Sequence, residues 1–208
     1  MNKTEQGQGR AASDERLFAI VLAAGSGSRF GGPKQLAIYD GMPLAVRAVR
    51  IAEAVCGPRS LLVAGHEWRA VVDACRPLQG FFINNTAYRG GMGGSIACGV
   101  KAVREAADAV LLMLADQPLV TVDHLRQLIA ARGDSSDCIA VTSFAGTEGP
   151  PVIFPRSCFA DLGELQGDQG ARVVLEGAGG RTRRVGFEPA AVDVDAPADL
   201  KSLEHRYD

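Results

Sequence analysis

At 208 residues, with 47% hydrophobic and 22% charged side chains, the chain fits one globular domain with a sizeable core. Its 22 basic and 24 acidic residues leave a net charge of −2, so no basic excess points to nucleic acid or to an acidic membrane surface. The first fifteen residues are polar and lack a signal-peptide centre, and no apolar run approaches the roughly 20 residues of a membrane span.

In chain order, those first fifteen residues read as a flexible tail, and 16 to 208 as a single domain. Five short apolar runs predict strands at Phe18–Ala23, Ser60–Ala64, Phe81–Asn84, Ala109–Ala115 and Ile139–Ser143. Between them, Pro43–Val55, Glu67–Cys75, Ser95–Ala106 and Val122–Arg132 carry apolar residues at helical spacing. This alternation argues for a parallel sheet covered on both faces. After Phe144 the pattern breaks into an extended segment, where Pro150 and Pro151 bar a central ladder position and favour an antiparallel strand near the sheet edge. Short helices at Phe159–Leu165 and Ala171–Glu176, a strand near Arg184–Phe187 and a last helix from Pro197 complete the reading. The five cysteines form no C-x-x-C pair, as fits reduced, mostly buried thiols in a cytoplasmic protein. His66, His124 and His205 do not cluster with cysteines, and Trp68 falls on a predicted helix as a packing residue.

Ligands on such sheets bind beyond the carboxyl ends of the strands, where Gly25, Asn84 and Asp116 fall. The first strand runs into Gly25, Ser26, Gly27, Ser28 and Arg29, with Lys34 following. Glycines let backbone N–H groups close on an anion, and the two cations add charge. No Walker loop is present, because Pro33, Lys34 and Gln35 follow Gly32; the dinucleotide fingerprint also fails, at Phe30. Alone, the loop fits a phosphate cradle or a tight strand-to-helix connection. Asp116, at a strand end, fits a Mg²⁺ ligand or a turn cap. Asp193 and Asp195, just before Pro197, fit a helix start or a metal site. Gly90, Gly91, Gly93 and Gly94 ahead of a helix fit a base-binding loop, with Ser95 as donor, or a solvent loop. Gly167, Asp168, Gly170 and Arg172 fit an anion-binding loop or a capped helix with a solvated arginine.

Resemblance narrows these choices. "LAAGSGSRFGGPKQL", "LADQP", "VDVDAPADL", the Gly91/Ser95 segment and "GPPVIFPRSCFADLGELQGDQGAR" together resemble the MobA-like nucleotidyltransferases, and within them the molybdenum-cofactor cytidylyltransferase branch. Gly94-Ser95 departs from the family's usual Ser-Ser, and Ala196 replaces its usual threonine. The resemblance implies a three-layer α/β/α sandwich with a Rossmann-like, mixed, mostly parallel sheet, of the nucleotide-diphospho-sugar transferase type. It implies a nucleotide site of Leu22, Ala23, Ala24, Gly25, Ser26, Gly27, Ser28, Arg29, Lys34, Asn84, Gly91 and Ser95. Lys34, Arg29 and Asp116 would be catalytic, and Asp116 and Asp195 would share Mg²⁺ with carboxylates roughly 4–8 Å apart. Gly167, Asp168, Gly170 and Arg172 would face the acceptor. The implied reaction passes CMP from CTP to a molybdopterin-type phosphate, with a molybdenum hydroxylase or its maturation chaperone as partner. Use of GTP or another phosphorylated acceptor, a nicotinamide-dependent oxidoreductase and a non-transferring maturation factor are the competing readings. Ala23-Ala24 leans toward a pyrimidine, since the guanylyl branch usually carries Gly-Gly there.

Overall fold

Strand β1 (Leu17–Ala23) is buried along nearly its whole length, and its alternation sorts the core into two layers. Ala19, Val21 and Ala23 face one layer, while Ile20 and Leu22 face the other. A strand with only small and branched apolar residues satisfies both faces at once, which is why it sits in the middle of the sheet. The computed structural model describes residues 15–76 and 78–204.

A hairpin of β2 (Ile38–Tyr39) and β3 (Met42–Pro43) leads into α1 (Leu44–Cys56), then β4 (Ser60–Ala64), α2 (Trp68–Cys75) and β5 (Phe81–Asn84). Helix α3 (Met92–Val103) precedes β6 (Ala109–Leu114), α4 (Val122–Arg132) and β7 (Ile139–Phe144). The chain closes with β8 (Thr147–Pro155), α5 (Phe159–Gly163), α6 (Arg172–Glu176), β9 (Thr182–Gly186) and α7 (Pro197–Glu204). Seven strands form one sheet in the order β5-β4-β1-β6-β8-β7-β9, parallel except for β8. Side chains of α1, α2 and α4 fill one face, and those of α3, α5 and α6 the other. The architecture is the expected three-layer α/β/α sandwich.

The antiparallel strand is a correction to the sequence reading. It lies inside the sheet, between β6 and β7, and not near an edge. Its register against β7 jumps from Val141↔Val152 to Thr142↔Gly149, so Pro150 and Pro151 fall in the irregularity and no ladder N–H is required of them. Helix α3 also starts three residues earlier than expected, at Met92, because Gly91 (φ 98°) turns the chain into it. Trp68 opens α2 on the surface, with the Arg69 guanidinium 5.2 Å from its ring centroid. All five cysteines are free and four are buried. Residues 1–14 of the expected tail and His205 lie outside the described residues. Glu15, also assigned to that tail, pairs with the buried Arg132.

A small third cluster of Tyr39, Leu44, Val194 and Leu203, with Phe30 and Leu200 packed against it, ties the C-terminal segment to the loops after β1. Asp199 accepts from the backbone N–H groups of Asp195 and Ala196 at 2.8 and 2.7 Å. That bond starts α7 and leaves the Asp195 carboxylate free for other partners.

One buried titratable group reports on folding. The Thr142 hydroxyl donates to the Pro151 carbonyl (2.6 Å), so it accepts from His124 Nε2 (2.8 Å), and Nδ1 is left bare in the core. Burial pushes the imidazole down to about 4. The unfolded chain therefore takes up a proton below about pH 6.5 that the folded chain refuses until about pH 4. Stability is full above about pH 6.5 and falls by up to about 3 kcal/mol toward pH 4. Thermal melts across that range should show a flatter pH dependence for His124→Gln, which keeps an N–H for Thr142 and cannot titrate; equal slopes would show that His124 does not carry this loss.

Candidate active site

Two parallel strands that leave in opposite directions make a crevice at their carboxyl ends. After β1 the chain goes to β4, whereas β6 lies on the other side of β1. At that point a cavity of about 460 Å³ opens. Its wall includes Leu22, Ala23, Ala24, Gly25 and Ser26 from the end of β1, and Leu114, Ala115 and Asp116 from the end of β6. Lys34, Gln35, Gly91, Ser95 and Asp168 also line it.

The charged centre joins three distant segments. Lys34 Nζ donates to Asp116 Oδ2 at 2.6 Å and to Asp195 Oδ1 at 3.0 Å. Because both oxygens touch one atom, they lie no more than about 5.6 Å apart, below the expected upper limit of roughly 8 Å. Arg29 Nη1 meets the other Asp195 oxygen at 2.9 Å. The Lys34 side chain is 15% exposed and that of Arg29 79%, so the lysine carries most of the interaction and the arginine pair is screened by water. Burial alone would lower the Lys34 ammonium, but the charges and hydrogen bonds of Asp116 and Asp195 raise it above its ordinary value. The hydrogen bond from Lys34 in turn holds Asp195 below the usual carboxylate range. Asp193 is pushed up to about 6 by lost hydration and by the charges of Asp116 and Asp195. Asp116 Oδ1 is buried without a hydrogen-bond partner.

The glycine loop folds back on itself. Gly27 (φ 63°) accepts from the N–H groups of Phe30 and Gly31, and a Cβ there would lie 2.0 Å from the Gly32 oxygen. Gln35, to which the sequence assigns no role in the site, is buried and donates through Nε2 to the Gly25 carbonyl at 2.6 Å, fixing the loop's first turn. Gly27, Ser28 and Arg29 are not among the residues lining the cavity.

On the opposite wall, Asn84 ends β5 beside Ala64 and does not line the cavity. Its neighbour Asn85 is the buried one, donating from Nδ2 to Ser95 Oγ at 3.0 Å while its Oδ1 accepts from the Ala87 N–H. With a lone pair of Oγ engaged by Asn85, the Ser95 proton is free to point into the cavity. Gly91 and Gly93 meet the loop before α6 backbone to backbone: the Gly93 N–H donates to the Gly167 carbonyl at 2.9 Å. A Cβ on Gly91 would lie 2.2 Å from that same oxygen. Of the four acceptor-side residues, Asp168 lines the cavity, Gly167 forms this seam, and Gly170 lies beside Met92. Arg172 is turned away, with its guanidinium on Thr147 Oγ1 (3.3 Å) and Glu176 (3.3 Å).

A family profile described as the MobA-like NTP transferase domain matches residues 19–185. The chain belongs to that family. It is 34% identical over 169 residues to the purine catabolism protein PucB of Bacillus subtilis (strain 168), covering 77% of this chain and 80% of that one. Rv0371c of Mycobacterium tuberculosis H37Rv superposes with a TM-score of 0.76 at 28% identity, over 91% of this chain and 97% of that chain. A complex of Rv0371c with manganese also matches, with a TM-score of 0.72 at 27% identity over the same shares of the two chains. The chain is a nucleotidyltransferase by family, and no helix among the described residues is long and apolar enough to cross a membrane.

The charged centre has a stability signature of its own. Lys34→Met leaves Asp116 and Asp195 facing each other across a half-buried gap, at a cost of about 1–3 kcal/mol near neutral pH. The bond from Lys34 holds Asp195 below the usual carboxylate range, so the stability it contributes is present above that range and fades as pH falls through it. Denaturant unfolding at pH 7.5 and pH 3.5 should therefore show a deficit in the variant at the first pH that shrinks at the second. A constant deficit would mean that Lys34 stabilises the fold by packing.

Proposed function

We propose that this protein is a Mg²⁺-dependent cytidylyltransferase that passes CMP from CTP to the terminal phosphate of a molybdopterin-type acceptor. The observation that carries this reading is the position of Lys34 between Asp116 and Asp195 at the mouth of the glycine-loop cavity. Asp116, through its unpartnered Oδ1, and Asp195 would hold Mg²⁺, their carboxylate oxygens being the hard donors that this ion prefers. The manganese complex of Rv0371c supports a divalent ion on this fold. When bound, Mg²⁺ would neutralise negative charge on the phosphate oxygens.

The protein's own groups would do the rest. The backbone of Leu22–Ser26 cradles the triphosphate, and Lys34, with two N–H groups on carboxylates, keeps a third for a phosphate oxygen. The acceptor phosphate is already an anion, so no general base is needed. Its oxygen bonds to the α-phosphorus as the bond to the bridging oxygen of the leaving pyrophosphate breaks, and Lys34 meets the charge that builds there. The Ser95 hydroxyl suits an acceptor atom on the base, such as the cytosine carbonyl, and the Ala23 and Ala24 methyls narrow the wall toward a pyrimidine. The product would pass to a molybdenum hydroxylase, through a maturation chaperone.

Calorimetric titration of CTP, GTP and NADH, each with and without Mg²⁺, tests the class. CTP with Mg²⁺ is expected to bind at least about tenfold tighter than GTP, about 1.4 kcal/mol. A preference for GTP would overturn the base assignment, and tight NADH binding independent of Mg²⁺ would overturn the transferase reading. Asp116→Asn and Asp195→Asn keep shape and remove charge; pyrophosphate release should fall by orders of magnitude with the melting temperature little changed, and full activity in either variant would exclude the shared metal site.

Ser95 and Asn85 separate base recognition from chemistry. Ser95→Ala should weaken CTP about tenfold, and Asn85→Leu, which releases the hydroxyl's orientation, should produce most of that loss with kcat nearly unchanged. A large drop in kcat with unaltered KM would place the pair in the chemical step.

A further inference from the structure

The cations around the cavity can be accounted for one by one. Lys34 is held by Asp116 and Asp195, Arg29 by Asp195, and Arg172 by Glu176 and Thr147 away from the wall. Arg89 is left. It lines the cavity and makes no ion pair among the described residues; its guanidinium rests 5.4 Å from the centroid of the Tyr88 ring. Tyr88 is itself fixed, because it packs so closely over Gly65 that a Cβ there would lie 2.6 Å from the Tyr88 Cβ.

From these observations we propose that Arg89 is the residue that receives the acceptor's phosphate. The proposal rests on the transferase reading above and names the substrate class of its second half: a phosphomonoester carried on a flat heterocycle. A guanidinium held beside an aromatic ring and without a carboxylate partner keeps its N–H fork for a ligand, a shape suited to two oxygens of one phosphate. Met92, 44% exposed and on the same wall, is a polarizable surface for a flat ring. The Asp168 carboxylate, also on that wall, repels a phosphate and accepts from ring N–H groups, so it sets the acceptor's direction with phosphate toward Arg89 and heterocycle toward Asp168. Nucleotide and acceptor phosphates then meet different cations: Lys34 on the strand-end side of the cavity, Arg89 on the side of the loop before α3.

Arg89→Met keeps length and removes charge, and Arg89→Lys keeps charge without the fork. With phenyl phosphate as probe in an NMR shift titration of the CTP-bound protein, Arg89→Met should weaken binding at least about tenfold and Arg89→Lys by less. The dissociation constant of CTP should stay within about twofold in both variants. In turnover with molybdopterin, Arg89→Met should raise the KM of molybdopterin and leave that of CTP in place. Phenyl phosphate binding that is absent in the parent protein or indifferent to Arg89 would overturn the proposal, as would an equal loss of CTP. The titration involves no transfer, so failure of the parent protein to cytidylylate molybdopterin would count against the functional reading and leave the Arg89 result standing on its own.

Discussion

Everything at the working end of this molecule hangs on one ammonium group. Lys34 brings together the loop after β1, the end of β6 and the segment before α7, which are 82 and 161 residues from it in the chain. Two carboxylates so close repel each other in a half-buried site, and the ammonium between them offsets that repulsion. The fold meets this demand at small entropic cost, because α1 and the cluster around Val194 already fix the chain on both sides of the lysine. A phosphate-bearing ligand therefore enters a site whose charges are already arranged, with little reorganisation left to make.

The parallel core was legible in the sequence because each strand is an unbroken apolar run and each helix is amphipathic. What misled was local chemistry outranked by tertiary context. Pro150 and Pro151 forbid ladder positions, and the sequence carries no sign that a register jump would remove the need for them. The residues that the fold gathers at the cavity and its charged centre were legible where charge or glycine marked them, at Gly25, Lys34, Asp116 and Asp195. They were not legible where a neutral polar side chain acts through a neighbour: Asn85 was overlooked beside Asn84, and Gln35 beside Lys34. A one-residue difference at a strand end decides which asparagine turns inward, and no periodicity encodes it. Arg89 and Arg172 show the same limit for cations. The sequence places an arginine in a glycine-rich loop, but only the ion pairs of the folded chain show which one is already engaged.

The antiparallel strand also shapes the site. Because β8 runs against its neighbours, the chain after Pro155 starts at the far end of the sheet, and α5 must carry it back toward the cavity. The loop that follows α5 meets the first turn of α3 through the Gly93–Gly167 bond, and its Asp168 joins the cavity wall.

The seam between Gly91, Gly93 and the Gln166–Asp168 turn is made of backbone alone. Contacts between side chains can be retuned by substitution; a contact between two main chains transmits position and nothing else. The two loops are in effect one part with two faces, joined where Gly91 and Gly93 meet Gln166–Asp168. Each face can diverge in the molecules it accepts, provided the glycines between them stay bare.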